Sequence, residues 1–230
     1  MATKKNETES RNTLEPTITK VRLHVTFTDP LLGTASANKE LHTEYIASKA
    51  PDALSLAEEV AAIGPEEVEN NGMTVFPRNN DGEPIMWDYQ IKGFFKESCQ
   101  MLKRAGAPYL SSKLTMFKKK IDGLVFPRPR QIVLDLPEGT DMGECQRPLR
   151  AQTAQGERVA LAHSEELPEG TWFECEVALM DKNLVNPLLE WMDYAEYHGM
   201  GQWRNSGKGR AVYTAYDADG KVLRSTEQGR

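Results

Sequence analysis

The segment with the clearest chemical potential lies near the C-terminus, where four glycines and two cations occur within Gly199–Gly209. Glycine accepts positive φ and allows another backbone to approach closely, and successive exposed N–H groups can form a nest that binds an anion. Arg204, Lys208 and the adjacent Arg210 can neutralise phosphates, and Trp203 offers a surface on which an unpaired base can stack. This segment, the glycine loop, combines the three elements of single-strand recognition.

The glycine loop also has interpretations other than single-strand recognition. It can be a turn between a helix and a strand, with Trp203 packed on the core. It is not a Walker A loop, because that motif follows a strand and opens a helix, whereas Gly207-Lys208-Gly209 follows a predicted helix and precedes a predicted strand. A dinucleotide fingerprint is excluded for the same reason.

The cysteines and histidines form no metal-binding pattern. Three cysteines are widely spaced without a CxxC pair, and four histidines make no HxxxH or HExxH motif. The sequence therefore predicts neither a disulfide framework nor a metal site, and no cofactor, in a reducing cytoplasm. No apolar run approaches the roughly 18 residues of a membrane span, so no membrane association is expected.

Two predicted helices and several predicted strands have to position the glycine loop. Asp88 is a natural N-cap for a helix over Tyr89–Arg104, and Asn186 followed by Pro187 opens a second helix that Gly199 ends as a C′ residue. Alternating or short apolar runs predict strands at Ile18–Phe27, Ile121–Phe126, Gln131–Leu136, Trp172–Met180 and Ala211–Tyr216.

When the predicted insertions are left out, the order of the predicted elements is strand, helix, strand, strand, helix, strand. This order predicts an α+β, ferredoxin-like βαββαβ fold with an antiparallel sheet. Residues 1–17 are expected to be a flexible tail, 18–218 one domain with insertions at about 34–72 and 137–170, and 219–230 a polar tail. The first insertion contains a predicted strand at Leu41–Ile46 and a predicted helix at Pro51–Ile63.

The charge distribution argues against a protein that coats nucleic acid along its whole surface. The formal net charge is −6, whereas such proteins are usually basic. Acidic residues concentrate at 58–69 and 165–169, and basic residues at 113–120, 128–130 and 204–210. A local basic groove on an acidic protein fits this distribution.

The glycine loop resembles that of the CRISPR-associated RAMP superfamily, whose members have RRM-like ferredoxin folds and a C-terminal loop written GhGxxxxxGxG. Gly199, Met200, Gly201, Gly207 and Gly209 match its fixed positions. Two further stretches are similar to backbone subunits of type III effector complexes. They are Ile91-Lys92-Gly93 at a helix opening and Thr28–Gly33 after the first strand.

The chain departs from that family where Trp87-Asp88-Tyr89-Gln90 replaces the usual small residues. It resembles a divergent backbone subunit, or a stand-alone relative carried by a phage or another mobile element. The resemblance implies binding of single-stranded RNA, a CRISPR guide or another small RNA, and association with other effector subunits or with copies of itself. Residues 137–170 would then form a thumb-like projection.

The RNA-contacting residues expected from the loop and the resemblance lie in two segments. In the predicted first helix, Lys92 and Lys96 are spaced i, i+4 on one face. The remainder belong to the glycine loop and its end: Gly199, Gly201, Trp203, Arg204, Asn205, Ser206, Gly207, Lys208, Gly209 and Arg210.

Two alternatives to a non-catalytic RNA-binding protein stay open. One is a metal-independent endoribonuclease that processes guide RNA, for which His24 or His42 could act in acid–base catalysis. The family's target-cutting Asp lies after the first strand, where this chain has Asp29, although Asp-Pro is also an ordinary strand terminator. The favourable interaction of a protonated histidine with the helix dipole is sufficient to explain His198 at the C-terminal end of its helix. The other alternative is a protein–protein module that interferes with or mimics a CRISPR subunit.

Overall fold

The computed structural model describes residues 18–37, 73–153 and 156–227. Its helices are α1 (Asp88–Ala105), α2 (Phe117–Leu124) and α3 (Val185–Asp193), followed by a short helix at Ala195–His198. The strands are β1 (Thr19–Phe27), β2 (Leu31–Leu32), β3 (Ala35–Ser36), β4 (Thr74–Val75), β5 (Ile85–Trp87), β6 (Val125–Arg128), β7 (Gln131–Val133), β8 (Gly143–Thr153), β9 (Gly156–Leu167), β10 (Trp172–Leu179), β11 (Ala211–Tyr216) and β12 (Val222–Ser225).

The main sheet is antiparallel, with the strand order β12-β11-β1-β10-β6. Leaving β12 aside, the four core strands follow one another across the sheet as fourth, first, third and second in chain order. With α1 between β1 and β6, and α3 between β10 and β11, this is the ferredoxin-like βαββαβ arrangement. The predicted α+β fold class is confirmed.

The core lies between this sheet and the helices. In β1 every second side chain is buried, from Val21 to Phe27, so that one face of the strand meets the helices. Trp191 of α3 is fully buried, and its indole N–H donates a hydrogen bond to Ser111 Oγ at 3.0 Å. This bond satisfies the only polar group of a large side chain that would otherwise be costly to bury.

A second sheet is built on the long hairpin β8–β9, which is formed by residues of the predicted second insertion. Strand β9 pairs antiparallel with β2 and parallel with β4, and β3 pairs with β4. These pairings fix the hairpin against the segment that follows β1. Because the glycine loop packs on that same segment, the hairpin lies beside the loop.

Three segments differ from the sequence prediction. The strand predicted at Ile121–Phe126 starts four residues too early, because α2 continues to Leu124 and β6 begins only at Val125. Strand β7 forms within the predicted Gln131–Leu136, but it pairs with β5 rather than joining the main sheet. The segment predicted as a polar C-terminal tail contains β12, which pairs with β11.

The predicted strand Leu41–Ile46, the predicted helix Pro51–Ile63 and His42 lie outside the described residues. Within the described ranges, no helix combines the length and the apolar character needed to cross a membrane.

Candidate functional site

The glycine loop is closed at its base by its own backbone. Gly199 and Gly209 both have positive φ, 76° and 71°. The N–H of Met200 donates to the carbonyl of Gly209 at 2.8 Å, and the N–H of Gly209 donates to the carbonyl of Pro30 at 2.9 Å. A Cβ on Gly209 would lie 2.1 Å from Met200 O, and a Cβ on Gly199 would lie 2.5 Å from Lys208 O. The backbone that approaches these two glycines is therefore the protein's own.

The tip of the loop turns outward. Trp203 has a φ of 55°, in the left-handed region, and begins a 3₁₀ turn over Arg204–Ser206. Trp203 keeps 39% of its surface exposed, and Asn205 and Ser206 are exposed as well. A left-handed residue with a bulky side chain is strained unless its surroundings hold it. The loop thus holds a partly exposed aromatic ring and two polar side chains at its surface.

Arg147 of β8 covers one side of this tip, a contact that sequence reasoning missed. Its guanidinium carbon lies 4.7 Å from the centre of the Trp203 ring, and its Nη2 donates to Gln202 Oε1 at 3.2 Å. Gln202 in turn donates to the carbonyl of Gly33 at 2.9 Å. Arg147 is 7% exposed, and its Nε and Nη1 have no hydrogen-bond partner among the residues that the structure describes. No local sequence pattern distinguishes this arginine from others in the hairpin.

The two cations of the glycine loop and the adjacent Arg210 are each paired with a carboxylate from a different part of the chain. Arg210 makes a bidentate pair with Asp29, in which both N–O distances are 2.9 Å. Lys208 Nζ lies 2.6 Å from Glu166 Oε2 on β9, and Arg204 pairs with a carboxylate of α1, that of Glu97. The hydrogen bonds from Arg210 to Asp29, together with the Asp29 charge, raise the pKa of Arg210.

These pairs change the electrostatics expected from the sequence. Three positive charges become three ion pairs, so the loop holds oriented donors rather than an excess of positive charge. A guanidinium has five N–H donors and an ammonium has three. Each cation therefore keeps donors beyond those that its carboxylate uses.

Glu97 also binds His198, which places acid–base groups beside the loop. Its Oε1 lies 3.1 Å from His198 Nε2, and the His198 ring stacks on Tyr194 with centroids 5.2 Å apart. Burial alone would raise the pKa of the Glu97 carboxyl, but the hydrogen bonds from Arg204 and His198 outweigh that effect and hold the pKa below its usual value. The sequence explains His198 by the helix dipole alone, and no sequence pattern predicts its contact with Glu97.

A cleft of about 220 Å³ separates the glycine loop from α1. Its walls are about equally polar and apolar, with polar groups contributed by α1, by the loop and by the segment after β2. The polar residues and glycines of its lining are Thr34, Gln90, Gly93, Glu97, Gly201 and Arg204. The cleft is therefore bordered by the glycine loop on one side and by one face of α1 on the other.

The two helix lysines do not line this cleft. Lys92 donates to the backbone carbonyl of Asp122 at 3.2 Å and lies over the ring of Phe126, and Lys96 donates to Asp122 Oδ1 at 2.8 Å. At 100° per residue, this face of α1 lies about 120° around the axis from the face that lines the cleft. Burial lowers the pKa of Lys92.

The other candidate residues are separated from the loop or already engaged. His24 lies on the sheet face opposite the helices, where its Nδ1 is 3.3 Å from Glu174 Oε1 and its ring contacts Trp172. The carboxylate of Asp29 accepts both hydrogen bonds from Arg210. In the part of the chain that the structure describes, no group of three or more His, Cys, Asp or Glu residues could hold a metal.

Comparison with known proteins gives a structural likeness. No family model matches the chain, and no curated protein matches its sequence significantly. Among solved structures, the chain is similar to one from the "Cryo-EM structure of the Type III-B Cmr-beta bound to cognate target RNA", with a TM-score of 0.52 and 8% sequence identity. The match covers 90% of this chain and 60% of the length of that chain. At this identity the likeness shows the fold alone.

Proposed function

We propose that this protein is an RNA-binding, RAMP-like subunit of a CRISPR-associated ribonucleoprotein and that it holds single-stranded RNA on the glycine loop. The observation that carries the proposal is the closed loop itself, which is anchored on Pro30 and presents Trp203 with the Arg147 guanidinium over its ring. The structural neighbour comes from a complex bound to target RNA. A guide or another small RNA is the proposed ligand, and other subunits or further copies of the chain are the proposed neighbours.

The ion pairs define how the loop would contact phosphate. Phosphate oxygens accept hydrogen bonds from donors of Arg204, Lys208 and Arg210 that the carboxylates leave unused, or they replace the carboxylates. Such contacts recognise the RNA backbone and not its sequence. Lys92 and Lys96 lie on another face of α1, so they would contact a different stretch of the strand from the one held by the loop.

The test is to purify the full chain, analyse co-purifying nucleic acid and measure binding of short single-stranded RNA across a salt series. The variant Arg204→Ala/Lys208→Ala/Arg210→Ala should bind more weakly and show a smaller salt slope, since each phosphate contact contributes about 0.7 to that slope. The control is Lys113→Ala/Lys118→Ala/Lys119→Ala, which removes the same charge from exposed positions in and just before α2. Thermal melting checks that both variants fold.

The outcomes separate the alternatives. Equal loss of binding in both triple variants would show that only overall charge matters, and it would overturn the assignment to the glycine loop. If the wild-type chain carries no RNA and shows no salt-dependent binding, the RNA-binding function fails. The protein–protein alternative would then be favoured.

A second candidate function, endoribonuclease, is favoured by the Glu97–His198 pair beside the loop. In such a reaction a base takes the proton of a ribose 2′-OH, the 2′-oxygen attacks phosphorus, and an acid protonates the departing 5′-oxygen. His198 and Arg204 could serve as acid and charge stabiliser. The low pKa of Glu97 makes it a weak base near neutrality, and for this reason the function ranks second.

The nuclease candidate has its own test. Incubation of RNA with the chain in EDTA should give products with cyclic phosphate ends if the pair is catalytic, and His198→Ala should abolish them. Intact RNA under these conditions, with binding retained, would exclude the metal-independent reaction.

A further inference from the structure

Three side chains form a layered aromatic surface where α1 begins. The rings of Trp87 and Tyr89 lie nearly parallel, at 11°, with centroids 6.3 Å apart. The guanidinium of Arg130 lies 5.9 Å from the centre of the Trp87 ring. Offset parallel rings within this distance range attract one another, as does a cation over a tryptophan face. We call these three residues the aromatic platform.

The backbone holds the aromatic platform in place. Trp87 ends β5 and pairs with Gln131 of β7, and its N–H donates to Gln90 Oε1 at 2.7 Å. The N–H of Asp88 donates to the carbonyl of Arg130 at 3.0 Å. A surface fixed by strand pairing and by a helix start loses little conformational entropy when a ligand binds to it.

The platform is accessible. Tyr89 is 59% exposed, Arg130 is exposed and Trp87 is half-buried. Aromatic rings of this kind stack with nucleobases irrespective of sequence, since every base has a π-face. Nucleic acid is favoured over an apolar protein segment because an arginine and the Tyr89 hydroxyl border the rings, which keeps the surface mixed in polarity.

The platform is continuous with the cleft beside the glycine loop. Gln90, the next residue, lines that cleft and donates to Thr34 Oγ1 at 2.8 Å. Gly93 lines it too, and it lies one turn beyond Tyr89 on the same helix face. The opposite wall of the cleft is formed by Gly201 and Arg204.

Gly93 provides a second, independent observation. It lies inside α1, where glycine is unfavourable relative to alanine, and its φ is not in the left-handed region. No described atom lies within 4 Å of a Cβ built on it. Packing within the described chain therefore does not require glycine here, whereas a strand crossing the cleft would benefit from the missing side chain.

We propose that the aromatic platform is a nucleobase-stacking site for the same single-stranded RNA that the glycine loop holds. One base stacks on Tyr89, and the strand passes over Gly93 through the cleft to the loop. This inference rests on the proposed function and adds a site to it. Since stacking does not distinguish base edges, the site tolerates any sequence.

The experiment measures binding of a short labelled single-stranded RNA and of a matched strand carrying abasic spacers. For the normal strand, Tyr89→Ala should weaken binding by roughly 5- to 100-fold, while Tyr89→Phe keeps wild-type affinity. The salt slope should stay unchanged, because no phosphate contact is lost. Tyr109→Ala serves as control, because that tyrosine lies beyond the other end of α1, a helix about 27 Å long.

Gly93→Ala gives a readout that a purely structural role would not produce. It should raise the melting temperature by about 2–4 °C and nevertheless weaken RNA binding. Gly123→Ala in α2, which also meets nothing within 4 Å, should stabilise the chain without changing binding.

Each result decides the proposal. The proposal is supported by two results together. The abasic strand binds wild type more weakly than the normal strand does, and it binds Tyr89→Ala and wild type with equal affinity. It is overturned if Tyr89→Ala binds like wild type, or if the variant loses affinity equally for both strands. In those cases salt-dependent binding through the loop would still stand. If wild type binds no strand, the proposed function itself has failed, and this inference falls with it.

Discussion

Replacing Gly209 with alanine tests the closure of the glycine loop most directly. Gly209 is buried at the base of the loop with a φ of 71°, and the new Cβ would lie 2.1 Å from Met200 O. No side chain occupies such a contact, so the two strands of the loop base have to separate. That movement weakens the hydrogen bonds of Gly209 with Met200 and Pro30, which are 2.8 and 2.9 Å long.

The expected loss in the free energy of unfolding is the sum of a backbone contribution and a hydrogen-bond contribution. The left-handed conformation costs a residue with a Cβ about 1–2 kcal/mol. Loss of the two hydrogen bonds adds roughly 1–3 kcal/mol, at about 0.5–1.5 kcal/mol each. Gly209→Ala should therefore reduce the free energy of unfolding by about 2–5 kcal/mol, which corresponds to roughly 4–20 °C in melting temperature for a chain of this size.

Chemical denaturation of the full chain measures the difference, with Gly220→Ala as the matched control. Gly220 has a φ of 81° and meets nothing within 4 Å of its Cβ position, so its replacement incurs only the backbone term. The two variants should thus differ by about 1–3 kcal/mol. If Gly209→Ala is no more destabilising than Gly220→Ala, the reasoning about loop closure is refuted.

Three further predictions concern charge and pKa. Asp29→Asn should tighten binding of single-stranded RNA and steepen its salt dependence, measured by titration, because the change releases Arg210 for phosphate. Acidification from about pH 6 to about pH 3 should destabilise wild type more steeply than Glu97→Gln in urea denaturation, because a depressed carboxyl pKa contributes stability that is lost as pH falls through the folded-state value. Burial raises the pKa of Cys175 to about 12, so mass spectrometry after alkylation of the native chain at about pH 8 should find Cys145 modified and Cys175 unmodified.

Each of these three predictions would be contradicted by a specific result. Weaker RNA binding by Asp29→Asn would mean that the carboxylate is needed to position Arg210. Parallel pH profiles for wild type and Glu97→Gln would show that the Glu97 contacts contribute no pH-dependent stability. Rapid alkylation of Cys175 would contradict its burial in β10.

Much of the fold could be predicted because its central elements carry their period in the sequence. Strand β1 alternates, α1 has an apolar stripe behind an acidic first residue, and β10 alternates again. Prediction failed where the signal was weak. The short helix α2 shares Ile121 with an apolar run that also suits a strand, and β12 is exposed along most of its length, so only pairing with β11 makes it a strand.

The candidate site, too, could be predicted from the sequence only in part. The four loop glycines, Trp203 and the neighbouring cations are local in sequence, so the loop could be located and its chemistry listed from the sequence by itself. The turn of Lys92 and Lys96 toward Asp122 depends on how α1 and α2 pack, which helical spacing alone does not specify.

The partners of the loop cations were decided by the tertiary structure. Asp29 is 181 residues from Arg210, and Glu97 is 107 residues from Arg204. No local pattern links such residues, because sheet order and helix packing bring them together only when the chain folds. The same holds for Arg147 over Trp203, and for the cleft that joins the glycine loop to the aromatic platform. Local periodicity and glycine spacing determined where the glycine loop lies and which residues it contains, and long-range packing decided which charges and rings surround it.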